Sequence, residues 1–503
     1  MLYNKANMAN ALEKTEKVEK PEKKEKKNLL KTWFLNPYNL VILSFIIVIL
    51  VGSFLLVTPF AQSDGAWAFN HVRADGQKVT YLDCLFTAVS ATCVTGLCTF
   101  KTGIGDTLSL FGQIVVVIMI QIGGLGFITV LTFFITIFRT KLEFKNRYLI
   151  SQMVGSTNFA DVVKFVRRLI LISISFVTAG TIIGLPVFFQ MYPHNPWMAI
   201  WSSFFTSASA FNNAGFDLFG GTSLVRGMGN TLIDGLPNWA YYYLCTYLMI
   251  LIVSGGISFL VIIDIFGFKK FRQWRAFTKI VLFTTAILLS TGFLVFIFSE
   301  CFHAGGMNVY QALFQSVTLR TAGFATYNQD NISLVGKAFS CLLMFIGGSP
   351  LSTAGGIKTT TVFMIFLAMF SYFRGSRVTA FKRVYSSNMI VKAMSLVFIG
   401  LFALATGFIA VYLFEENSLN SEAIGLSSPE HIAIAYEVFS AFGTVGVSTG
   451  ITPYITIGSK IVLCLLMFLG RLGPMTFLQI FQANMDKKTN LHYQYVEEDF
   501  LIG

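Results

Sequence analysis

Long apolar runs, separated by short polar or glycine-rich stretches, repeat along the whole chain. The first, Asn39 to Phe60, carries no charge and is long enough to cross a bilayer as a helix, which takes about 20 residues. Comparable runs predict helices near 38–60, 108–138, 167–190, 238–266, 274–298, 336–372, 392–414 and 457–482. Within each consecutive pair lies a shorter aromatic segment, marked by Leu85-Phe86, Phe204-Phe205, Leu313-Phe314 and Val438-Phe439, and each segment runs on to a glycine. The pattern predicts an all-α integral membrane protein with four parallel helix–pore-loop–helix repeats around a single pore. That makes eight transmembrane helices plus four re-entrant pore helices. The repeats fall at 36–140, 141–268, 269–378 and 379–503, after a Lys/Glu-rich tail at 1–35 with too little apolar content to fold alone.

The segments end in related stretches. Ser90-Ala91-Thr92-Cys93-Val94-Thr95-Gly96 has the spacing of Ser209-Ala210-Phe211-Asn212-Asn213-Ala214-Gly215 and Ser440-Ala441-Phe442-Gly443-Thr444-Val445-Gly446. Thr318-Leu319-Arg320-Thr321-Ala322-Gly323 is a looser copy. Irregular backbone at membrane depth is tolerated only where it is buried in protein or lines a water-filled path. Glycine lets backbone carbonyls crowd an axis, and a ring of carbonyls can replace the hydration shell of an alkali cation. Candidate ion-binding residues are therefore Cys93, Val94, Thr95 and Gly96; Asn212, Asn213, Ala214 and Gly215; Arg320, Thr321, Ala322 and Gly323; and Gly443, Thr444, Val445 and Gly446. Thr92–Gly96 and Thr444–Gly446 resemble the TVG core of potassium-channel filters.

A second series lies in the following helices: Gly123-Gly124-Leu125-Gly126, Gly255-Gly256-Ile257-Ser258 and Gly470-Arg471-Leu472-Gly473-Pro474. In the third repeat it expands into Gly347–Thr361, rich in Gly, Ser, Thr and Pro, which predicts a helix broken in its middle. A loop there would narrow the path below the filter. Its candidate gate residues are Gly347, Gly348, Ser349, Pro350, Ser352, Thr353, Gly355, Gly356 and the cation Lys358, with Arg471 at the matching break of the fourth repeat.

Composition agrees. Of 503 residues 54% are hydrophobic and 12% charged, with mean hydropathy +0.66, against about 25% charge in soluble domains. The net charge of +12 lies in the tail and in short linkers (Arg139 to Arg168, Lys269 to Arg275, Arg374 to Arg383), so it does not mark a nucleic-acid partner. The other loops hold Asp64, Asp234, Glu300, Glu415 and Glu416. Cation-rich linkers stay inside, which puts both termini in the cytoplasm. Seven scattered cysteines support neither a disulfide framework nor a zinc site. Within the predicted spans no HExxH, GxSxG or paired catalytic carboxylates support an enzyme, and few intramembrane carboxylates are available for an ion-coupled carrier, the alternative reading. Charged residues at membrane depth are functional suspects. Arg320 is expected to point behind the filter and pair with Glu437, while Asp83 either attracts cations or caps its helix.

The four filters together with Ser352-Thr353-Ala354-Gly355-Gly356-Ile357-Lys358-Thr359-Thr360-Thr361 resemble the Trk/Ktr/HKT superfamily of potassium transporters. The chain starts directly with the first repeat, which is most similar to the KtrB-type membrane subunit. The resemblance implies potassium as the transported ion, sodium-dependent uptake, a homodimer with one pore per protomer, and location in the cell's inner (plasma) membrane. It also implies a cytosolic ring of nucleotide-binding RCK subunits of KtrA type. With no GxGxxG after a strand and no P-loop here, any nucleotide binds that partner. The apolar end Phe500-Leu501-Ile502 is expected to dock at the dimer interface.

Overall fold

Four times along the chain a long helix is followed by a short buried one and then by a further apolar helix. The computed structural model describes residues 37–69, 71–72, 78–126, 159–219, 238–267, 271–302, 306–416, 418 and 427–473. Unit one comprises α1 (Pro37–Val57), α2 (Tyr81–Cys93), the single turn α3 (Gly103–Thr107) and α4 (Leu110–Leu125). Unit two has α5 (Phe159–Met191), α6 (Pro196–Asn212), α7 (Asn238–Gly256) and α8 (Phe259–Phe266). Unit three has α9 (Ala276–Phe296), continued by a π-helical turn Ile297–Cys301, then α10 (Val309–Thr318), α11 (Leu334–Phe345) and α12 (Thr359–Phe373). Unit four has α13 (Ser387–Glu415), α14 (Glu430–Gly443) and α15 (Ile457–Leu472). Two antiparallel two-stranded hairpins complete the described elements: β1 (His71–Val72) with β2 (Lys78–Val79), and β3 (Thr379–Ala380) with β4 (Arg383–Val384).

Two of the predicted long helices are each two helices: 238–266 breaks at Ile257-Ser258, and 336–372 breaks between Phe345 and Thr359. The amino-terminal tail, the carboxy-terminal docking segment and the extensions of α4 toward Phe138 and of α15 toward residue 482 lie outside the described residues.

The long helices are apolar over most of their length, as a bilayer requires. Segments Lys164–Met191, Trp239–Gly256, Ala276–Cys301 and Ser387–Glu415 are long and apolar enough to cross a membrane. Helix α13 buries Ala393, Gly400, Leu404, Gly407 and Val411 against the bundle and exposes Phe398, Leu401, Phe402 and Ile409. The short helices α2, α6, α10 and α14 are the interior: Phe86, Phe205, Phe314 and Val438 have no accessible surface.

Polar side chains set where the helices start. Thr80 and Asp83 form a capping box on α2, Asn308 and Gln311 one on α10, and Asn195 caps α6 ahead of Pro196. In three units the end of the first helix, or the chain just past it, also holds the start of a later helix of the same unit. Glu415 accepts bonds from the backbone N–H and hydroxyl of Thr456, both 2.8 Å, at the start of α15. Glu300 does the same for Ser333 at the start of α11, and in unit one the Phe60 carbonyl accepts from Ser109 before α4. Glu300 and Glu415, read above as loop acids, are thus buried capping groups (3% and 1% exposed).

Candidate functional site

Helices α2, α6 and α14 end in the same way. The residue after the helix, Val94, Asn213 or Thr444, takes a left-handed conformation (φ 58°, 59° and 50°). The next N–H returns to the helix: Thr95 to Ser90 O and Ala214 to Ser209 O at 2.8 Å, and Val445 to Ser440 O at 2.9 Å. Two residues after each left-handed residue stands a glycine with positive φ: Gly96 at 103°, Gly215 at 70° and Gly446 at 96°. The third unit reaches the same backbone from a helix that ends differently, with Thr321 at φ 74° and Gly323 at φ 86°. A non-glycine residue held left-handed costs about 1–2 kcal/mol, so four of them in register mark a conformation imposed by the surroundings.

These segments close into a ring. A Cβ added to Gly96 would lie 2.5 Å from the carbonyl oxygen of Ala214, and one on Gly215 would lie 2.8 Å from that of Ala322. A Cβ on Gly323 would lie 2.5 Å from the carbonyl oxygen of Val445, and one on Gly446 would collide with that of Thr95. In every case the carbonyl belongs to the residue before the next unit's glycine, so the order runs one, two, three, four and back to one. Each glycine is half-buried between buried neighbours. The hydroxyls of Thr321 and Thr444 are buried without a hydrogen-bond partner among the described residues.

Side chains behind the ring hold it in shape. Ser90 Oγ accepts from Gly96 N and Ser440 Oγ from Gly446 N, each at 3.0 Å. The first predicted position of each filter turns away to packing. Cys93 is fully buried, Asn212 Nδ2 donates to Ala208 O at 2.8 Å, and a Cβ on Gly443 would strike Met344 O. Arg320 does leave the ring, but the expected pair with Glu437 does not form. Arg320 Nη2 donates to Gly347 O at 3.3 Å. Glu437 instead accepts from Ser448 Oγ, from Thr449 N at 3.1 Å and from Thr452 Oγ1 at 3.0 Å. The glutamate clamps the chain leaving Gly446 onto its own helix, a local demand that three donors satisfy better than a distant guanidinium. Asp83 caps α2 and also binds Lys460 Nζ at 2.8 Å, so both of its oxygens are committed. Ser448, Thr452 and Lys460 escaped the sequence reading; Ser, Thr and Thr shortly after a filter glycine were the available signal.

The inner helices press against the ring from below. A Cβ on Gly123, Gly255 or Gly470 would overlap the carbonyl of Thr92, Phe211 or Phe442, in each case the residue four before the filter glycine. In unit three the corresponding Gly347 packs instead on Gly355, and residues 346–358 form the predicted loop. The loop is largely buried and heavily bonded. Ile346 and Ile357 form a parallel bridge. Ser349 N donates to Gly256 O at 3.1 Å, Thr353 N to Gly255 O at 3.2 Å, and Phe259 N to Leu351 O at 3.0 Å, so the loop lies on the break between α7 and α8. Thr353 Oγ1 adds a bond to Gly255 O at 2.9 Å. A Cβ on Gly355 would meet the Thr444 side chain at the inner end of the ring. Arg471 spans three units: its guanidinium donates to the carbonyls of Thr353 in the loop and of Gly123 and Gly124 in unit one. Lys358 curls back, its ammonium 2.7 Å from Ala354 O.

Four backbone segments thus close into one ring, with a bonded loop packed against it. The family model described as "TrkH: Cation transport protein" matches residues 56–493.

The chain belongs to the TrkH family of cation transport proteins. Among relatives of this family member, the potassium/sodium uptake protein NtpJ of Enterococcus hirae is 32% identical over 93% of this chain and 98% of that protein. The Ktr system potassium uptake protein B of Bacillus subtilis is 31% identical over 91% of this chain and 95% of that protein. The crystal structure of the potassium transporter TrkH from Vibrio parahaemolyticus shares the fold, with a TM-score of 0.60 at 17% identity over 87% of this chain and 84% of that one.

Proposed function

We propose that this TrkH-family chain is the potassium-selective, channel-like pore subunit of a bacterial potassium uptake system. The carrying observation is the closed ring of Thr95, Ala214, Ala322 and Val445 carbonyls against Gly446, Gly96, Gly215 and Gly323 respectively. Four carbonyls of one register suit a dehydrated spherical cation, whose charge they stabilise without a side-chain carboxylate. The names of relatives, potassium uptake proteins of Ktr systems, support potassium as cargo. In this reading the loop 346–358, with Arg471 and Lys358, is the gate below the filter. The pore works as a homodimer in the plasma membrane with both termini cytoplasmic, is stimulated by sodium, and is opened by a nucleotide-binding RCK ring.

An ion-coupled carrier would need a carboxylate at membrane depth free to bind the coupling ion. Glu437, Asp83, Glu300 and Glu415 are all engaged in fixed hydrogen bonds, which supports the pore. The test is uptake of radioactive rubidium into proteoliposomes holding the purified chain. Uptake down a rubidium gradient, blocked by potassium and indifferent to sodium as competitor, is the expected result. Uptake that requires a stoichiometric sodium or proton gradient would replace the pore by the carrier.

A further inference from the structure

The richest feature outside the ring is a cavity of about 840 Å³ at the start of α9, where the linker from unit two meets the β3–β4 hairpin. Its walls carry Arg272, Arg275, Lys279, Lys382 and Arg383 beside Trp274, and no carboxylate. Asp264 is buried, 3.8 Å from Arg275 Nε, and accepts from Thr278 Oγ1 at 2.6 Å. Arg275 has no side-chain capping bond to α9, so the first N–H groups of that helix add their positive end to the cavity. The hairpin is bent to serve it. Phe381 and Lys382 form its two-residue turn with φ 47° and 62°, angles that such turns normally give to Asn and Gly. Strain of this kind persists at ligand sites, where the surroundings over-determine the backbone.

A second cavity of about 500 Å³ adjoins it and shares Arg275, Ala276 and Arg383. Its remaining walls are chiefly apolar, from Phe277 and Ile280 on α9, Phe363 and Met364 on α12 and Met389 on α13. The two cavities therefore form one amphipathic site, a cationic head and an apolar tail, at the ends of helices that cross the membrane. Free phosphate or a nucleotide would fill only the first. We propose that this site binds an anionic phospholipid, its phosphodiester held by Arg272, Arg275, Lys382 and Arg383 and one acyl chain lying between α9, α12 and α13. Because α12 begins directly after the loop 346–358, the bound lipid fixes the helix from which that loop hangs. This assignment stands independently of the transported ion.

The test uses the full chain in detergent, mixed with equal amounts of phosphatidylglycerol and phosphatidylcholine of the same acyl chains and read by native mass spectrometry. Wild type should retain phosphatidylglycerol with a preference of about tenfold or more, as several cations near one headgroup imply. The exposed-side double substitution Arg272→Gln/Arg383→Gln should abolish the preference. Met389→Trp, which fills the apolar cavity and leaves every cation in place, should lower retention of both lipids at this site. Each variant is used only if it elutes from size exclusion as wild type does, and the two substitutions lie on different elements, so failure of one to fold leaves the other decisive. Equal retention of the two lipids by wild type would overturn the proposal. So would displacement of phosphatidylglycerol by equimolar inorganic phosphate, which would assign the cavity to a soluble anion. An undiminished preference in the double variant would overturn it too and leave the cations for a protein partner.

Discussion

The four filter segments and the four inner-helix breaks come from the same repeats, yet they diverge to different degrees. The filter segments share one backbone course, left-handed at Val94, Asn213, Thr321 and Thr444 and positive again at the glycines, although their side chains have little in common. The inner-helix glycines share one contact in units one, two and four, where each meets the end of the pore helix, and depart from it in unit three. A carbonyl ring is only as good as its worst quarter, so backbone geometry is held constant while side chains vary. In the proposed pore a closable path needs one element that is unlike the others, and the loop of unit three is the candidate. Its two irregularities also touch: Arg320, in the loosest filter copy, donates to Gly347 O, the first carbonyl of the loop. The one arginine among the four ring segments is matched to a loop that, among the described residues, only this unit has.

The comparison breaks most sharply at the ring. Gly323→Ala puts a methyl 2.5 Å from Val445 O and 2.8 Å from the Gly215 Cα at φ 86°. With left-handed strain of about 1–2 kcal/mol before any clash, potassium uptake should fall by at least about tenfold, since about 1.4 kcal/mol is a factor of ten. Gly96→Ser should lose selectivity, potassium over sodium, more than rate. Potassium preference unchanged from wild type in competitive rubidium uptake would mean that the ring does not select.

Shortening the loop addresses the asymmetric member. Removing residues 349–354 should raise passive rubidium flux several-fold and weaken its dependence on any regulatory partner, because the bonds to Gly255, Gly256 and Phe259 disappear. A shortened chain that folds, keeps potassium preference and conducts no faster would make the loop a packing element. Arg471→Ala should act in the same direction and more mildly, about two- to threefold, as it frees three carbonyls and leaves the loop's own backbone bonds intact.

Glu437→Ala tests whether the clamp is structural. Three donors lose their acceptor, so melting of the detergent-solubilised protein should show a loss of about 2–3 kcal/mol. Replacing Arg320 alone should not reproduce it. If Arg320→Gln and Glu437→Ala cost the same and are not additive, the two residues are coupled after all.

The smallest effect concerns the outer corner between units three and four. Burial raises the Asp330 pKa, but bonds from Ser428 and Ser427 and the nearby Lys337 ammonium outweigh it, so the carboxyl sits below its ordinary value. The lowered folded pKa means that Asp330 contributes stability above its unfolded pKa of about 3.9. That contribution is lost as pH falls through the folded pKa. Acid melting curves of wild type and Asp330→Asn should therefore converge at low pH and separate near neutrality; curves that stay parallel would remove Asp330 from the corner's stability.

What the chain alone determined was the helical class and the order of long apolar runs and short aromatic segments, not the division of 238–266 and 336–372 into two helices each. Apolar runs of membrane length, four aromatic short segments and four terminal glycines are local features, and local features are legible because burial in lipid and left-handed backbone each restrict composition. The break after Phe345 was legible for the same reason, although the loop spans 346–358 and Thr359–Thr361 of the expected stretch already belong to α12. What only the tertiary structure decided was pairing. Arg320 and Glu437 are both charged and both near the filter, and sequence offers no way to see that Ser448, Thr449 and Thr452 reach the glutamate first, or that Arg320 finds a carbonyl instead of a carboxylate. Glu300 and Glu415 looked like loop acids because their partners, Ser333 and Thr456, are far away in sequence (33 and 41 residues). Lys460 gave no sign that it faces Asp83 from 377 positions away. Which buried polar group satisfies which other depends on how the four units pack around the axis, and that arrangement is written in no single stretch of the chain.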